Sequence, residues 1–521
     1  MPLTILTDSD VRALLLQLTK QDILDLQQSL ADALHYYSTS TEEDSNACCS
    51  SYQPLRTALK RNDGQTTLLM PASSNDGIGV KIVTLLTEGA KTKSDTTSDT
   101  SSLERLSLSQ HSTKSTSSST AIEPQPSTSS AHSTKPKGSL TLFDKSGHPR
   151  ALINAEEITA FRTALASTML FKKRHNVHDL VVFGAGAQAY WHIRLALLLR
   201  GPDIHHLNII NRDFDRVHHL LQKLYNPFEE PSSLDLDPTH IPAYRQPDAR
   251  TTALPRPKIQ ILTPSHGEYD RLLKSTIRAS SVIFFTTPSL TPLFPASYLT
   301  SPEGRKKGRY LAAIGSYKPH MVEIHPDILR QAVEPEYHHH RDFHKHAARG
   351  GAVVVDSVEA CLAEAGEIIQ AGLGPHEVVE LGELVMLKRD ADRRRKDCEA
   401  KKGSSKSEEG LDEHGVEIGG VQGVGVGAQE KMMKRKKKKH GWGWGGSKKG
   451  EQDKEGEEGE AEAKEEETYK HDKTAHTLVE WLTKGNVIYK SVGLGLMDVV
   501  VGSDLCRLAD ERGIGTRIDD F

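Results

Sequence analysis

The stretch LVVFGAGAQAYWHIRLALLL, Leu180 to Leu199, decides the fold class. A short apolar run enters the pattern G-x-G-x-x-A, and a helix-compatible run follows it. In such a unit the first glycine allows a tight turn, the second lets the backbone approach a pyrophosphate, and the small third residue lets helix and strand pack closely. The helix N-terminus then offers free N–H groups to the phosphates. The stretch therefore predicts a dinucleotide site that includes Gly184, Gly186, Ala187 and Gln188, the alternative being a glycine-rich turn without a ligand.

The end of the next predicted strand bears on which dinucleotide is bound. NAD sites often place an acidic residue there to hold the ribose hydroxyls, whereas this chain has Asn211 and Arg212. A guanidinium can pair with a 2′-phosphate, so NADP(H) is favoured over NAD(H). Asp213 follows immediately and is acidic, so NAD(H) remains the alternative cofactor.

Short apolar runs separated by helical stretches continue through about residues 176–382. Continuous apolar strands between helices are typical of a parallel sheet covered on both faces, so we expect an α/β domain. Thr286, Thr287 and Ser289 follow one such strand, where Rossmann ligands lie, and are predicted to contact the cofactor. A plain turn before Pro288 is the alternative. The runs are Leu180–Phe183, Leu207–Ile210, Ile259–Leu262, Val282–Phe285, Leu311–Ile314 and Val353–Val355.

The residues before this block predict a second, mixed unit. Thr7 with Asp10, and Thr19 with Asp22, look like capping boxes that begin two helices. The segment LTLFDKSGHPRALI, residues 140–153, has the alternation and turn of a hairpin, and Asn154 follows as the cap of an amphipathic helix.

Composition divides the 521 residues further. Two tracts, 90–137 and 389–474, are rich in Ser, Thr, Gly, Lys and Glu without hydrophobic periodicity, which predicts disordered insertions. The α/β block between them, residues 173–388, is the predicted NAD(P)-binding Rossmann domain, and the chain returns to an ordered pattern at 475–521.

Charge and cysteine content exclude several classes. The formal net charge of −4 argues against a general nucleic-acid footprint, and the sequence has no apolar run long enough for a membrane helix. It begins without a secretory signal pattern, and five cysteines form neither a disulfide framework nor a zinc pattern. A cytoplasmic protein is expected. The Lys-rich run 434–439 could act as a nuclear signal, although a solvated linker is favoured.

Two other features are set aside. The histidine-rich run around His338–His346 has no acidic or cysteine ligands in register, so no metal site is predicted. Cys361 lies in an apolar helical stretch and is expected to be buried and inert.

Several phrases together resemble the ornithine cyclodeaminase/mu-crystallin family. They are INAEEITAFRTALAS, GAGAQ, TTPS, GSYKP with a following Glu323, EAGEI and KSVGLGLMD. The resemblance covers both ends and the α/β block. It implies a homodimer in which a substrate and dimerisation domain of α+β type surrounds the nested Rossmann domain. That domain would be built from 1–89, 138–172 and a C-terminal return at 475–521. The resemblance further implies hydride transfer between a nicotinamide and the α-carbon of a small amino or imino acid. It also implies a cationic clamp for the substrate carboxylate at Arg56, Lys81 and Arg162, and a nicotinamide-side turn at Ser491 and Gly493.

One position departs from the cyclodeaminase pattern. Where ornithine cyclodeaminases place a catalytic aspartate two residues after the glycine that ends a strand, this chain has Tyr317 after Gly315. Tyrosine is a poor general base at neutral pH, so the ketimine reductase and mu-crystallin branch is favoured. Lys81 and Tyr317 are the candidate proton donors. Ornithine cyclodeaminase activity and non-catalytic NADPH-dependent ligand binding are the alternatives.

Overall fold

The computed structural model of the 521-residue chain describes residues 2–39, 53–54, 56–62, 65–85, 137–227, 254–334, 352–384 and 478–521. Residues Met1–Val385 and Glu480–Phe521 form one compact unit, to which the description below applies. The remaining unit, Met386–Val479, is described only at its last two residues.

An eight-stranded parallel sheet forms the larger half of this unit. The glycine loop, residues 184–186, follows the first strand of this sheet in chain order, and the predicted parallel α/β architecture is confirmed. In spatial order the strands are β13 (Val378–Glu380), β12 (Val353–Val355), β14 (Val487–Lys490), β11 (Tyr310–Ala313), β10 (Val282–Phe285), β7 (Asp179–Phe183), β8 (His206–Ile210) and β9 (Lys258–Leu262).

Helices connect these strands and bury their apolar side chains against the sheet. Strands β10, β11, β12 and β14 are buried along their whole length, as expected where helices cover both faces. The helices are α4 (Ala187–Arg200), α5 (Phe214–Tyr225), α6 (Tyr269–Ala279), α7 (Ser297–Thr300), α8 (Pro302–Arg305), α9 (Pro326–Val333), α10 (Val358–Glu364) and α11 (Gly366–Ala371).

A seven-stranded, mainly antiparallel sheet forms the other half. The expected hairpin is formed by two of its strands, β5 (Lys137–Phe143) and β6 (Pro149–Asn154). They are joined by a turn in which Asp144 accepts from Ser146 N and His148 N. In spatial order the strands are β15 (Thr516–Ile518), β1 (Leu3–Leu6), β6 (Pro149–Asn154), β5 (Lys137–Phe143), β4 (Gly77–Leu85), β3 (Thr66–Ser74) and β2 (Thr57–Lys60).

Helices cover one face of this sheet: α1 (Asp8–Leu16), α2 (Lys20–Thr39), α3 (Ala155–Phe171) and α12 (Gly495–Arg512). Both predicted capping boxes are present, with Thr7 and Asp10 bonded reciprocally at the start of α1 and Thr19 and Asp22 at the start of α2. Asn154 caps α3 by accepting from Glu156 N at 2.9 Å. Helix α3 also packs on α4, which brings the two halves together around Arg162.

The structure differs from the predicted organisation at the C-terminal return. Strand β14 lies between β11 and β12 of the parallel sheet and not in the predicted substrate and dimerisation domain. Its four side chains, VIYK, are all buried in that position. Only α12 and β15 return to the seven-stranded half. The two tracts predicted to be disordered lie outside the described residues, except Lys137, which begins β5. The other domain boundaries stay predictions.

Candidate active site

The loop between β7 and α4 has the geometry that a dinucleotide requires. Gly184 has φ +107°, and a Cβ on it would lie 2.7 Å from Thr286 Oγ1, so only glycine fits there. Gly186 caps α4 without a side-chain hydrogen bond, and a Cβ on it would meet nothing within 4 Å. Ala187 and Gln188 begin α4 and are half-buried. Open space beside a free helix N-terminus fits a pyrophosphate.

The residues after β8 separate into a structural group and an exposed cation. Asp213 caps α5, with its Oδ1 accepting from Asp215 N at 2.9 Å and from Arg216 N at 3.3 Å. Asn211 Nδ2 donates to the Asp213 carbonyl at 2.7 Å. Arg212 is exposed. The acidic side chain at this strand end is therefore used by the helix, and the guanidinium faces solvent.

Strand β10 ends in hydroxyl groups that already have protein partners. Thr286 Oγ1 donates to the Phe183 carbonyl at 2.6 Å, Thr287 Oγ1 to Glu323 Oε1 at 3.0 Å, and Ser289 Oγ to the Thr291 carbonyl at 2.6 Å. These residues line the strand end at which a dinucleotide would lie, and their side chains fix the shape of the loop.

Glu323 joins the ends of β10 and β11. Its Oε1 accepts from Thr287 N at 2.6 Å, and its Oε2 accepts from Gly315 N at 2.7 Å and Ser316 N at 3.2 Å. Complete burial raises the pKa of this carboxyl to about 7, and the positive charge of Lys490 opposes the rise. The carboxylate thus holds the loops that follow β10 and β11 together.

A second buried network lies beside Glu323. Lys490 Nζ is 3.1 Å from Glu367 Oε2 and also bonds Ser316, and Glu367 Oε1 accepts from Glu323 N at 2.8 Å. Lys490 and Glu367 are each 1% exposed. Burying this pair is tolerable because each charge has a partner, and the network fixes β14 against the ends of β11 and α11.

Two of the three predicted clamp cations meet on a carboxylate. Lys81 Nζ lies 2.9 Å from Asp498 Oδ1, and Arg162 Nε donates to the same oxygen at 3.2 Å. Lys81 comes from β4, Arg162 from α3 and Asp498 from α12, and all three side chains are buried. Burial lowers the pKa of Lys81 to about 8, and the charge of Asp498 opposes that fall.

The predicted nicotinamide-side turn is fastened to a buried aspartate and rests on Arg162. Asp356 Oδ2 accepts from Ser491 Oγ at 2.8 Å, from Val492 N at 3.1 Å and from Gly493 N at 2.7 Å. Gly493 has φ +89°, and a Cβ there would lie 2.5 Å from Arg162 Nη2. The turn after β14 and the guanidinium are therefore in direct contact.

The third predicted clamp residue pairs with a different carboxylate. Arg56 Nε donates to Glu364 Oε1 at 2.9 Å, and both side chains are about one-quarter exposed. Burial lowers the pKa of Arg56, and Asp356 opposes that fall more strongly than Tyr317 does. Arg56 is thus near the other site groups, although it does not share the oxygen of Asp498.

Tyr317 lies half-buried in the loop after β11, four residues beyond the end of that strand. Burial raises the pKa of its phenol above the usual value, with Arg56 opposing the rise. The phenol is therefore protonated at neutral pH and is able to donate a hydrogen bond but not to remove a proton.

Sequence reasoning missed four acidic groups of this site: Asp356, Glu364, Glu367 and Asp498. Two signals pointed to them. Asp356 directly follows the buried strand β12. Glu364 and Glu367 stand inside the EAGEI phrase, and Asp498 stands inside KSVGLGLMD. Cys361 is fully buried, as expected, and burial raises the pKa of its thiol well above the usual value.

Two negative findings concern the described residues. No group of three or more His, Cys, Asp or Glu side chains in them could hold a metal ion. None of their helices combines the length and apolar character needed to cross a bilayer. The histidine-rich run and the Lys-rich run lie outside them.

Comparison with known proteins gives sequence relatives and solved structures that resemble this chain. No family model matches the chain. An uncharacterized protein of Saccharomyces cerevisiae is 29% identical over 255 residues, 45% of this chain and 59% of that protein. A Δ1-pyrroline-2-carboxylate reductase of Bacillus cereus is 24% identical over 256 residues, 48% of this chain and 60% of the reductase. The chain thus spans about three-fifths of these relatives' length.

The solved structures agree in fold. The Thermococcus litoralis Δ1-pyrroline-2-carboxylate reductase, in complex with NADH and L-proline, has a TM-score of 0.52 at 16% identity, covering 98% of this chain and 99% of that one. A probable ornithine cyclodeaminase of Bordetella pertussis has a TM-score of 0.51 at 15% identity, covering 99% of each chain. The resemblance to the ornithine cyclodeaminase/mu-crystallin family is confirmed. The likeness to these solved structures shows the fold of the chain.

Proposed function

We propose that the chain is an NAD(P)H-dependent oxidoreductase that reduces the C=N bond of a small cyclic imino acid. The observation that carries this proposal is the meeting of Lys81, Arg162 and Asp498 beside the turn at Gly493. Two cations and one carboxylate leave one net positive charge. A substrate carboxylate would neutralise it, which a buried site requires.

The chain's residues have separate tasks in this reaction. The nicotinamide, when bound, supplies the hydride. Lys81 and Arg162 hold the substrate carboxylate. Arg56 adds a third cation if its guanidinium releases the Glu364 carboxylate and binds the substrate. Tyr317, kept protonated by burial, is a hydrogen-bond donor near Arg56. Lys81 is the alternative proton donor.

Reduction is favoured over cyclodeamination because this chain has Tyr317, and not a carboxylate base, at the position of the cyclodeaminase aspartate. Cyclodeamination removes protons around ring closure, and a phenol with a raised pKa is unsuited to that step. An iminium substrate arrives protonated and needs only the hydride and a site that holds its carboxylate.

NADP(H) is the proposed cofactor. Asp213 is occupied as the cap of α5, so it is poorly placed to accept from ribose hydroxyls, whereas Arg212 is exposed beside it. The other predicted contacts are the Gly184–Gln188 loop, the end of β10 and the turn at Ser491–Gly493. Their spacing around the ends of β7, β10 and β14 suits a dinucleotide laid across the sheet.

A homodimer through the seven-stranded sheet is proposed as the assembly, which makes this half the dimerisation as well as the substrate domain. The face opposite α3 and α12 carries exposed apolar side chains, which a protein usually covers with a partner. They are Leu59, Ile78, Ile82 and Leu152.

Oxidation of NADPH by the purified protein with piperideine-2-carboxylate tests the proposal. Turnover is expected for the wild type and should be lost in Arg162→Ala. Arg517→Ala, which removes an exposed arginine paired with Asp519, is the matched control and should retain activity. Absence of turnover in folded, NADPH-bound wild type would contradict the proposal for this substrate and would favour ligand binding. Release of ammonia from ornithine would favour the cyclodeaminase instead.

A further inference from the structure

Asp498 is the only described carboxylate that bonds two of the predicted clamp cations. Its Oδ1 accepts from Lys81 Nζ at 2.9 Å and from Arg162 Nε at 3.2 Å, and its Oδ2 is buried without a hydrogen bond in the structure. The side chain is 0% exposed. Burying a carboxylate in this way carries a desolvation penalty, which its ion pairs with Lys81 and Arg162 must offset.

The three residues reach this point from distant parts of the chain. Asp498 is 417 positions from Lys81 and 336 from Arg162. It stands in the first turn of α12, just after the turn whose Gly493 touches the Arg162 guanidinium. The same short segment therefore contacts Arg162 through its backbone and through a carboxylate.

Without Asp498, Lys81 and Arg162 would be two buried like charges beside each other. The positive charge of Arg162 would disfavour protonation of Lys81, and the two side chains would repel each other. Both would also lose Asp498 Oδ1 as a hydrogen-bond acceptor. Among the described residues, the charged groups facing Lys81 are Asp498 from α12 and Arg162 from α3. Asp498 is therefore the single described group that favours the charged form of Lys81.

We propose that Asp498 is a positioning residue: it keeps Lys81 protonated and holds Lys81 and Arg162 together as one carboxylate-binding unit. This inference rests on the proposed function for its consequence in catalysis. Its physical content, the coupling of the Asp498 and Lys81 charges, is measurable without substrate.

The first test uses the free energy of unfolding as a function of pH. Because the pKa of Lys81 is lowered to about 8 in the folded protein, the unfolded chain binds more protons above that pH. Lys81 therefore contributes stability that is present above its unfolded pKa and is lost as the pH falls through about 8.

In the wild type, the free energy of unfolding should therefore rise as the pH increases above about 8. Asp498→Asn should move the onset of this rise to lower pH by about one to two units, because the charge attraction that favours protonated Lys81 is gone. Lys81→Met should abolish the rise, and adding Asp498→Asn to Lys81→Met should then leave the pH profile unchanged. Asp504→Asn, a half-buried carboxylate on the same helix that pairs with Arg507, is the matched control. It should leave the Lys81-dependent rise in place.

Identical onsets in wild type and Asp498→Asn would overturn the proposal. If Asp498→Asn fails to fold while the double variant with Lys81→Met folds, the coupling of the two charges is supported. Failure of both to fold would place the role of Asp498 in the packing of α12 and would also overturn it.

The second test is kinetic. Asp498→Asn should raise KM for the imino acid at least tenfold with a smaller change in kcat, and the alkaline limb of kcat/KM should move to lower pH. An unchanged KM and alkaline limb would contradict the positioning role. If the wild type does not turn over, the proposed function fails while the unfolding test still decides whether Asp498 and Lys81 are coupled.

Discussion

Gly493 lies directly against the guanidinium of Arg162, so closely that a Cβ on Gly493 would come within 2.5 Å of Nη2. The contact joins the turn after β14 to α3, the helix that carries Arg162 of the proposed clamp. The backbone conformation at Gly493 thus fixes the position of the Arg162 guanidinium. The two segments are far apart in sequence, since Asp498, which follows the same turn, is 336 residues from Arg162.

Gly493→Ala tests this contact. The new methyl group must displace the Arg162 guanidinium, and φ +89° is strained for alanine by roughly 1–2 kcal/mol. We expect KM for the imino acid to rise about tenfold or more, which corresponds to about 1.4 kcal/mol of lost binding. Steady-state kinetics measure it. Gly147→Ala is the matched control, since Gly147 also has positive φ but has nothing within 4 Å of its Cβ.

An unchanged KM in Gly493→Ala, with the stability loss seen in Gly147→Ala, would mean that Arg162 moves aside without cost. The clamp would then depend on Lys81 and Arg56 more than on the geometry at Arg162.

Asp356→Asn should loosen the turn between β14 and α12. The carboxylate accepts from Ser491 Oγ, Val492 N and Gly493 N, and hydrogen bonds to a charged group contribute about 1.5–3 kcal/mol each. An amide keeps one acceptor oxygen and places an NH2 group against donors. We expect a loss of stability of about 2–4 kcal/mol in denaturant unfolding and weaker NADPH binding by fluorescence titration.

Asp179→Asn is a suitable comparison for Asp356→Asn, because Asp179 is partly exposed and pairs with His206 and Lys307 at the other end of the parallel sheet. A similar loss of NADPH binding in both variants would point to general destabilisation and not to the turn.

His192 should make the protein sensitive to acid. Complete burial lowers the pKa of its imidazole to about 4, while Nδ1 donates to the Gln188 carbonyl and Nε2 bonds Ser167 Oγ, each at 2.7 Å. Because the folded pKa is depressed, the associated stability is present above the unfolded pKa of about 6.5 and is lost as the pH falls through about 4. The loss amounts to about 3 kcal/mol.

Unfolding free energies of wild type and His192→Phe, measured from pH 7 to pH 4, check this expectation. The variant should be less stable at neutral pH, where its hydrogen bonds are gone, and should show a flatter decline toward acid. Parallel curves would show that another group causes the acid sensitivity. His206, which is about half exposed, supplies the control substitution His206→Phe.

The sequence predicted well what depends on neighbouring residues. The capping boxes at Thr7 and Thr19 and the tight turn at Gly184 follow from patterns a few positions long, and each is present. The carboxylates that bind the proposed clamp residues do not follow from such patterns. Asp498 and Asp356 become site residues because α12 and β12 bring them to cations and amides from distant segments.

Two strand assignments show the same limit. Leu3–Leu6 is only four residues long and precedes a helix cap, so its pairing with β6 and β15 depends on both ends of the chain. Strand β14 is only four residues long and ends in the charged Lys490, and only its pairing with β11 and β12 reveals that it belongs to the parallel sheet.

Arg212→Ala should change cofactor preference. If the exposed guanidinium holds a 2′-phosphate, the variant should bind NADPH about ten- to a hundredfold more weakly and NADH with unchanged affinity, since a charge-assisted contact contributes about 1.5–3 kcal/mol. Titration of the protein with each cofactor measures the ratio. Arg216→Ala, one turn further along α5, is the control. Equal weakening for both cofactors, or for neither, would remove the argument for NADP(H).

The exposed face of the seven-stranded sheet should determine the assembly state. Ile82 lies on β4 opposite Ser139 of β5 and Leu69 of β3, is 38% exposed, and points away from the buried Lys81 face. A lysine there places a charge in the middle of the proposed interface, where it would be desolvated without a partner. We expect Ile82→Lys to convert a dimer to a monomer at micromolar concentration in sedimentation equilibrium.

The stability of the isolated fold should change little in that variant, because Ile82 is partly solvent-exposed within the chain. Ile369→Lys is the matched control, since Ile369 is 40% exposed on α11, which belongs to the parallel-sheet half. If Ile82→Lys remains dimeric, or if Ile369→Lys dissociates equally, the interface lies elsewhere. A monomeric wild type would contradict the dimer outright, and the apolar face would then need another partner.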